Sequence, residues 1–154
     1  MRRKSFGNAR CPVARSLDMI GDWWTLLLVR DALRGTRRFS EFQESLGLAP
    51  NILTARLRKM VEDGILETRP SPERSDRCEY HLTAKGQQLQ VVLVALRQWG
   101  EDHLYQPGEA MTAMVDTTHG EPVRRLGVVS ASGQALRPDE VDIRVGSKAA
   151  AGPG

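Results

Sequence analysis

Asn51, Thr54, Arg58 and Lys59 are the residues of this chain whose types and spacing most clearly suggest chemistry with a partner. On a helix turning by about 100° per residue, Asn51, Ala55 and Arg58 fall together, with Thr54 and Lys59 flanking them and Leu53, Leu57, Met60 and Val61 opposite. A carboxamide can pair with the edge of adenine, a guanidinium with guanine or phosphate, and an ammonium with phosphate. The same charges could also solvate an ordinary surface helix, so the surrounding elements must discriminate. Arg56 on the flank, Arg37 and Arg38 upstream, and Arg74 and Arg77 downstream are further candidate backbone contacts that could instead serve the fold. Cys11 precedes Pro12 at a helix start between Arg10 and Arg15, where the helix terminus and the cations favour a thiolate. It is a candidate sensor, or a small packed hydrophobe as free cysteines usually are.

Catalytic signatures are missing. There is no phosphate-cradling glycine loop and no nucleophile elbow. His81, His103 and His119 lack ligand spacing, and Glu62-Asp63 and Glu101-Asp102 sit at helix ends as solvated pairs. Two cysteines cannot build a disulfide framework or a four-thiolate zinc site. The expectation is no enzyme, no cofactor and no metal.

The elements that must position these residues are written in glycines and caps. Pro12 opens a helix whose apolar face is Val13, Leu17 and Ile20, stopped by Gly21. Asp22 caps a second helix, Trp23 to Leu33, ended by Gly35. Arg37-Arg38-Phe39 reads as a short extended piece, and Ser40 with Gln43 as a capping box for a third helix closed by Gly47. Pro50 opens the fourth, which ends at Asp63-Gly64. Residues 65–69 and 77–82 read as two strands around a polar, proline-bearing loop, the second with Cys78, Tyr80 and Leu82 inward and Arg77, Glu79 and His81 outward. Thr83 then caps a long helix from Ala84 to about His103. Two short helices around the turn 45–50, followed by a ribbon with a charged tip, are the order of a winged helix-turn-helix, a mainly α fold with a small β wing (α+β).

Composition agrees. Of 154 residues, 40% are hydrophobic and 27% charged, a globular balance. The longest near-apolar run, Trp23 to Val29, cannot span a bilayer, and the basic start lacks an apolar signal segment, so neither a membrane nor secretion is expected and the cytoplasm is. Residues 1–59 hold 12 Lys/Arg against 5 Asp/Glu, and residues 60–154 hold 10 against 14. A basic first third suits a polyanion. All eight aromatic residues lie between Phe6 and Tyr105, so the main core should end near Pro107-Gly108. The expected divisions are a basic arm (1–10), the winged domain (11–105), a Gly/Pro-rich appendage (106–147) and a disordered tail (148–154).

The run CPVARSLDMIGDWWTLLLVRDALRGTRRFSEF, then LTARLRKMVEDGILETR and RCEYHLTAKG, resembles the HxlR-type transcriptional regulators, a branch of the MarR-like winged-helix set, over roughly residues 10–104. The resemblance implies a homodimeric DNA-binding repressor or activator without enzymatic activity. Three positions depart from the pattern: Trp23 stands where Lys is usual, Ala55 where Gln is usual, and the tip Glu73-Arg74-Ser75-Asp76 is more acidic. Alanine at position 55 can at most touch a thymine methyl. Some relatives use a thiol at the place of Cys11 to sense electrophiles or oxidants.

The last long helix supplies the partner surface. Leu89, Leu93, Leu96, Val92, Trp99, Ala95 and Val91 spread over an arc wider than one buried stripe needs. A second copy is the simplest cover, giving Leu17, Val92, Leu93, Leu96 and Trp99 as the expected dimer interface; the appendage folding back is the other. Trp23 is expected exposed, at the seam, or lining an effector pocket. In the appendage, His119-Gly120 and Ser132-Gly133 weakly resemble the Cys-Gly knuckles of a small zinc ribbon without its thiols. Some β-structure is expected at 125–129 and at Val141, Ile143 and Val145, or else a flexible tail. The functional expectation is a palindrome-binding, homodimeric regulator of double-stranded DNA, probed by a small-molecule or electrophile effector. The alternative is a winged-helix module that binds protein and not DNA.

Overall fold

The computed structural model describes residues 4–144. Arg2 and Arg3 of the basic arm, Val145 and the 148–154 tail lie outside the described residues. The chain separates into two compact units, Met1–Gly100 and Glu101–Gly154.

In the first unit the order is α1 (Pro12–Ile20), α2 (Trp23–Leu33), α3 (Phe39–Leu46), α4 (Pro50–Glu62), β1 (Leu66–Pro70), β2 (Cys78–Leu82), α5 (Ala84–Gln87) and α6 (Gln90–His103), the last running into the second unit. This is the α+β winged helix-turn-helix order. The central helix is α2, which packs against α3, α4, α5 and β2. Leu28, Val29 and Ala32 on α2, Phe42 on α3, Leu53, Leu57 and Met60 on α4, and Ile65 and Leu66 make one core. Their removal from water is the main favourable term in folding. Asp31 is buried within this packing and is not orphaned: it accepts from Arg30 Nε at 2.9 Å and from Ser45 Oγ at 2.7 Å, tying α2 to α3. A buried carboxylate without such partners would be strongly unfavourable.

Gly47, at φ +62°, ends α3 in the left-handed conformation that lets the chain turn sharply into Leu48, whose buried side chain precedes Pro50. The strands pair antiparallel, Leu66 opposite Leu82 and Pro70 opposite Cys78. Tyr80 N donates to Arg37 O at 2.8 Å, so the extended piece before α3 lies beside β2.

Several expectations are corrected. The extended piece stops at Arg38, and α3 begins at Phe39 with Arg38 as its N-cap residue; Glu41, not Gln43, reaches back, accepting from Arg37 N and Arg38 N at 3.0 Å each. Ser40 lies inside the first turn. The strands are Leu66–Pro70 and Cys78–Leu82, each shifted or trimmed by one residue. Cys78 is exposed and Glu79 buried, the reverse of the expected alternation. Strict alternation assumes one covered face, whereas here Arg38 and His81 close around Glu79.

The expected single helix from Ala84 is broken at Gln88-Leu89. Thr83 Oγ1 accepts from Gly86 N and donates to Gly64 O, pinning α5 to the start of the ribbon. At Gly86 an added Cβ would lie 2.2 Å from Ile65 O. The helix breaks two residues later, and α6 begins at Gln90. Leu89 and Leu93 pack on the core, while Val91, Val92, Leu96 and Trp99 are exposed. Leu93 is thus partly buried against the core.

The second unit contains two isolated β-bridges, Val115 with Pro122 and Val129 with Ala135, and a short 3-10 turn at Pro138–Glu140. The expected strands at 125–129 and 141–145 are not formed among its described residues. The first knuckle-like turn is held by Asp116, whose carboxylate accepts from Thr118 N, His119 N and Glu121 N; these donors, that of His119 foremost, hold its pKa below the usual carboxylate range. Ser130 Oγ accepts from Gln134 N in the second. No helix among the described residues is long and apolar enough to cross a membrane.

Gly86→Ala should lower stability by about 1–3 kcal/mol, because the methyl meets a backbone oxygen that cannot rotate away. Urea unfolding followed by circular dichroism measures it; an unchanged midpoint would mean that the approach of Gly86 to Ile65 is not tight in solution.

Candidate nucleic-acid interface

The sequence of α4 divides it into two faces. Leu53, Leu57 and Met60 are buried, and Asn51, Thr54, Ala55, Arg58 and Lys59 are exposed on the outside. Pro at the helix start supplies the φ that the first turn needs and gives up a donor that has no partner there anyway.

Internal partners sort the polar residues of this face. Among the described residues, the carboxamide of Asn51 and the guanidinium of Arg58 have no hydrogen bond or ion pair with the protein. Thr54 Oγ1 donates to Pro50 O at 2.8 Å, leaving its lone pairs outward. Lys59 Nζ lies 2.6 Å from Asp63, the carboxylate of the residue after α4. Arg56 turns inward, 3.5 Å from the carboxylate of Asp22. That carboxylate also caps α2, accepting from Trp24 N, Thr25 N and Thr25 Oγ1. Arg56 therefore braces α4 against the start of α2 and is drawn away from the outer face.

The other predicted cations lie around the ribbon. Arg38 Nη2 is 2.7 Å from Glu73 and its Nε 3.8 Å from Glu79; the Glu73 bond above all holds the guanidinium's pKa above its ordinary value. Glu79 also meets His81 Nε2 at 3.1 Å. Arg74 pairs with Asp76 across the tip. Arg77 is exposed, with no side-chain partner among the described residues. Arg37 belongs to the fold, donating to Ala32 O and Thr36 O.

Asn51, Thr54, Arg58 and Lys59 thus come together on one helix face and Arg38, Arg74 and Arg77 around the wing, while Arg56 is paired with Asp22. Glu73 and Glu79, which hold Arg38, were missed. Glu73 could have been found from the acidic tip, but Glu79 could not, because the alternation assigned it to solvent.

The other candidates are also located. Cys11 is exposed at the N-cap of α1, and Arg15 Nε is occupied by Ala9 O at 2.6 Å. Cys78 is exposed too. Trp23 is 84% exposed, so any pocket lined by its indole needs a second surface to close it. No group of three or more His, Cys, Asp or Glu side chains able to hold a metal occurs among the described residues.

Residues 19–107 match the family described as HxlR-like helix-turn-helix. An uncharacterised HTH-type transcriptional regulator of Mycobacterium tuberculosis is 40% identical over 95 residues, 62% of this chain and 60% of the relative. The chain thus spans about 60% of the length of the curated relatives it matches first. The crystal structure of PA1607, described as a candidate transcription factor, superposes with a TM-score of 0.87 at 48% identity, over 94% of this chain and 100% of that one. The oxidised form of the redox regulator HypR superposes with a TM-score of 0.54 at 32% identity, over 60% of this chain and 97% of that one.

The α3 cap carries a pH prediction. The backbone donors of Arg37 and then Arg38 hold the Glu41 carboxyl below its ordinary pKa. Its contribution is therefore complete above the unfolded-state value and is lost as pH falls through the lower folded one. Glu41→Gln should be less stable than the parent at pH 7, and the gap should close on acidification. A gap constant down to pH 3 in urea titrations would remove the cap from this role.

Proposed function

The chain belongs to the HxlR-like helix-turn-helix family of transcriptional regulators, and from that premise we propose that it is a homodimeric repressor that reads a palindromic DNA operator with α4. It acts in the cytoplasm and without a catalytic step. The observation that carries the reading is the exposure of Asn51 and Arg58 on the outer face of α4, without internal partners among the described residues, opposite the buried Leu53, Leu57 and Met60. A helix braced from behind, with a free carboxamide and a free guanidinium in front, has the donors and acceptors that base edges in the major groove require.

A second copy supplies the other recognition helix. Val91, Val92 and Leu96 on α6, Val13 on α1 and Trp23 are exposed, with Trp23 at 84%. Exposed apolar side chains of this kind suit an interaction site, and a two-fold partner matches a palindromic site. Leu17 and Trp99 are exposed as well.

Cys11 is proposed as the switch. Its thiol is exposed at a helix start, where an electrophile can add to it, and the added bulk beside α1 would shift the spacing of the two reading helices. The likeness to a redox regulator supports this reading.

Asn51→Ala should relax specificity at one base pair, by about 1–3 kcal/mol. Arg58→Ala should weaken binding and, if it meets phosphate, make the salt slope shallower by about one unit. Equal affinity of the parent for promoter and random DNA, read by anisotropy at several salt concentrations, would overturn the regulator reading in favour of a protein-binding wing module.

Light scattering should report about twice 17.1 kDa, and Leu96→Glu should give monomers. Leu93→Glu should instead unfold the chain, because Leu93 packs on the core. For the switch, a quinone should release DNA from the parent but not from Cys11→Ser; equal release from both would leave Cys11 a structural residue.

A further inference from the structure

The wing and the first turn of α3 enclose a groove of about 400 Å³ whose polar lining includes Arg38, Ser40, Glu73, Ser71, Arg74 and Arg77. Ser71 lines the groove, and among the described residues its hydroxyl has no protein partner, so it is free to donate into the groove. Arg77 likewise has no internal ion pair among the described residues. The first turn of α3 begins in the same wall and already carries the Glu41 carboxylate, which accepts from Arg37 N and Arg38 N.

The guanidinium groups of Arg38 and Arg77 and the hydroxyls of Ser40 and Ser71 form a donor set suited to a tetrahedral oxyanion, while Arg74 is paired with Asp76. Two carboxylates, Glu73 and Glu79, already line the groove. Glu73 reaches in from the wing tip to Arg38 at 2.7 Å while its own side chain is 71% exposed. Glu79, buried beneath, lies 3.8 Å from the Nε edge of Arg38. The Arg38–Glu73 pair is a solvent-facing contact that contributes little to stability, so Glu73 can leave without disturbing the core.

We propose that this groove is a phosphate-binding site, that Glu73 occupies it in the free protein as an internal stand-in, and that a backbone phosphate of duplex DNA displaces it. The proposal rests on the reading of α4 as the DNA-contacting helix. The groove is open to water, with Arg38 42% and Arg74 57% exposed, so free orthophosphate would remain largely hydrated and bind weakly. A duplex already held by α4 presents phosphate at high effective concentration. Glu73 therefore sets how tightly the chain binds DNA of any sequence, and α4 sets which sequence it prefers.

The test has two arms on the full chain, with melting midpoints confirming that each variant is folded. In the first, inorganic phosphate is titrated while the side-chain Nε–H resonance of Arg38 is followed by NMR. Glu73→Gln should bind at least threefold more tightly than the parent. Equal binding would overturn the stand-in, and no binding by either would overturn the site. In the second, anisotropy with promoter and random duplexes should show Glu73→Gln raising affinity three- to tenfold on both. That gain should vanish in the Arg38→Ala background. A gain that survives there is a long-range charge effect and overturns the assignment to Arg38. Should Arg38→Ala fail to fold, Arg77→Ala in the Glu73→Gln chain should reverse the gain on both duplexes, and an undiminished gain would overturn the groove. Positive phosphate binding with no duplex binding by the parent would mean that the α4 reading has failed and DNA is not the source of the anion. Loss of the phosphate arm alone, with promoter preference intact, leaves the α4 reading standing and removes this site.

Discussion

The carboxylate of Asp22 joins the two helices on which the interface depends. It satisfies two backbone donors at the start of α2, accepts from the Thr25 hydroxyl, and receives Arg56 from α4. Helix α2 is the core's central rod, and α4 carries the outward polar face. One side chain thus fixes the start of the rod and ties α4 to it. Hydrophobic burial of Leu53, Leu57 and Met60 supplies the adhesion, but such contacts are non-directional. The ion pair and the cap add the direction.

Internal pairing then separates cations that look alike in composition. Arg56 and Arg37 are committed to the fold, Arg38 and Arg74 hold the exposed carboxylates of Glu73 and Asp76, Lys59 holds the largely covered Asp63, and Arg58 and Arg77 have no carboxylate partner among the described residues. An exposed pair is cheap to exchange for another anion, whereas a braced one is not. The basic excess of the first third is therefore graded in availability. The acidic wing tip supplies part of that grading, through Glu73 and Asp76.

The turns of the second unit are held by their own side chains: Asp116 and Ser130 accept the backbone donors of the turns they start. Side-chain oxygens of Asp and Ser favour such local bonds over longer pairing. That preference accounts for two isolated bridges in place of the strands that the apolar alternation implied.

The sequence by itself determined the order and type of the elements in the first unit, because each signal is local. Asp22 caps, Gly47 turns and Pro50 starts a helix through interactions spanning at most four residues. It also determined the two faces of α4, since helical periodicity and side-chain polarity are local too. Only the tertiary structure decided which cations remain available, because Arg56 meets Asp22 and Arg38 meets Glu73 across 34 and 35 positions of chain. The same holds for the close approach of Gly86 to the backbone of Ile65 and for the inversion of Cys78 and Glu79. Long-range proximity leaves no trace in local periodicity: a carboxylate that buries itself against a distant guanidinium reads, in one dimension, like any solvated charge.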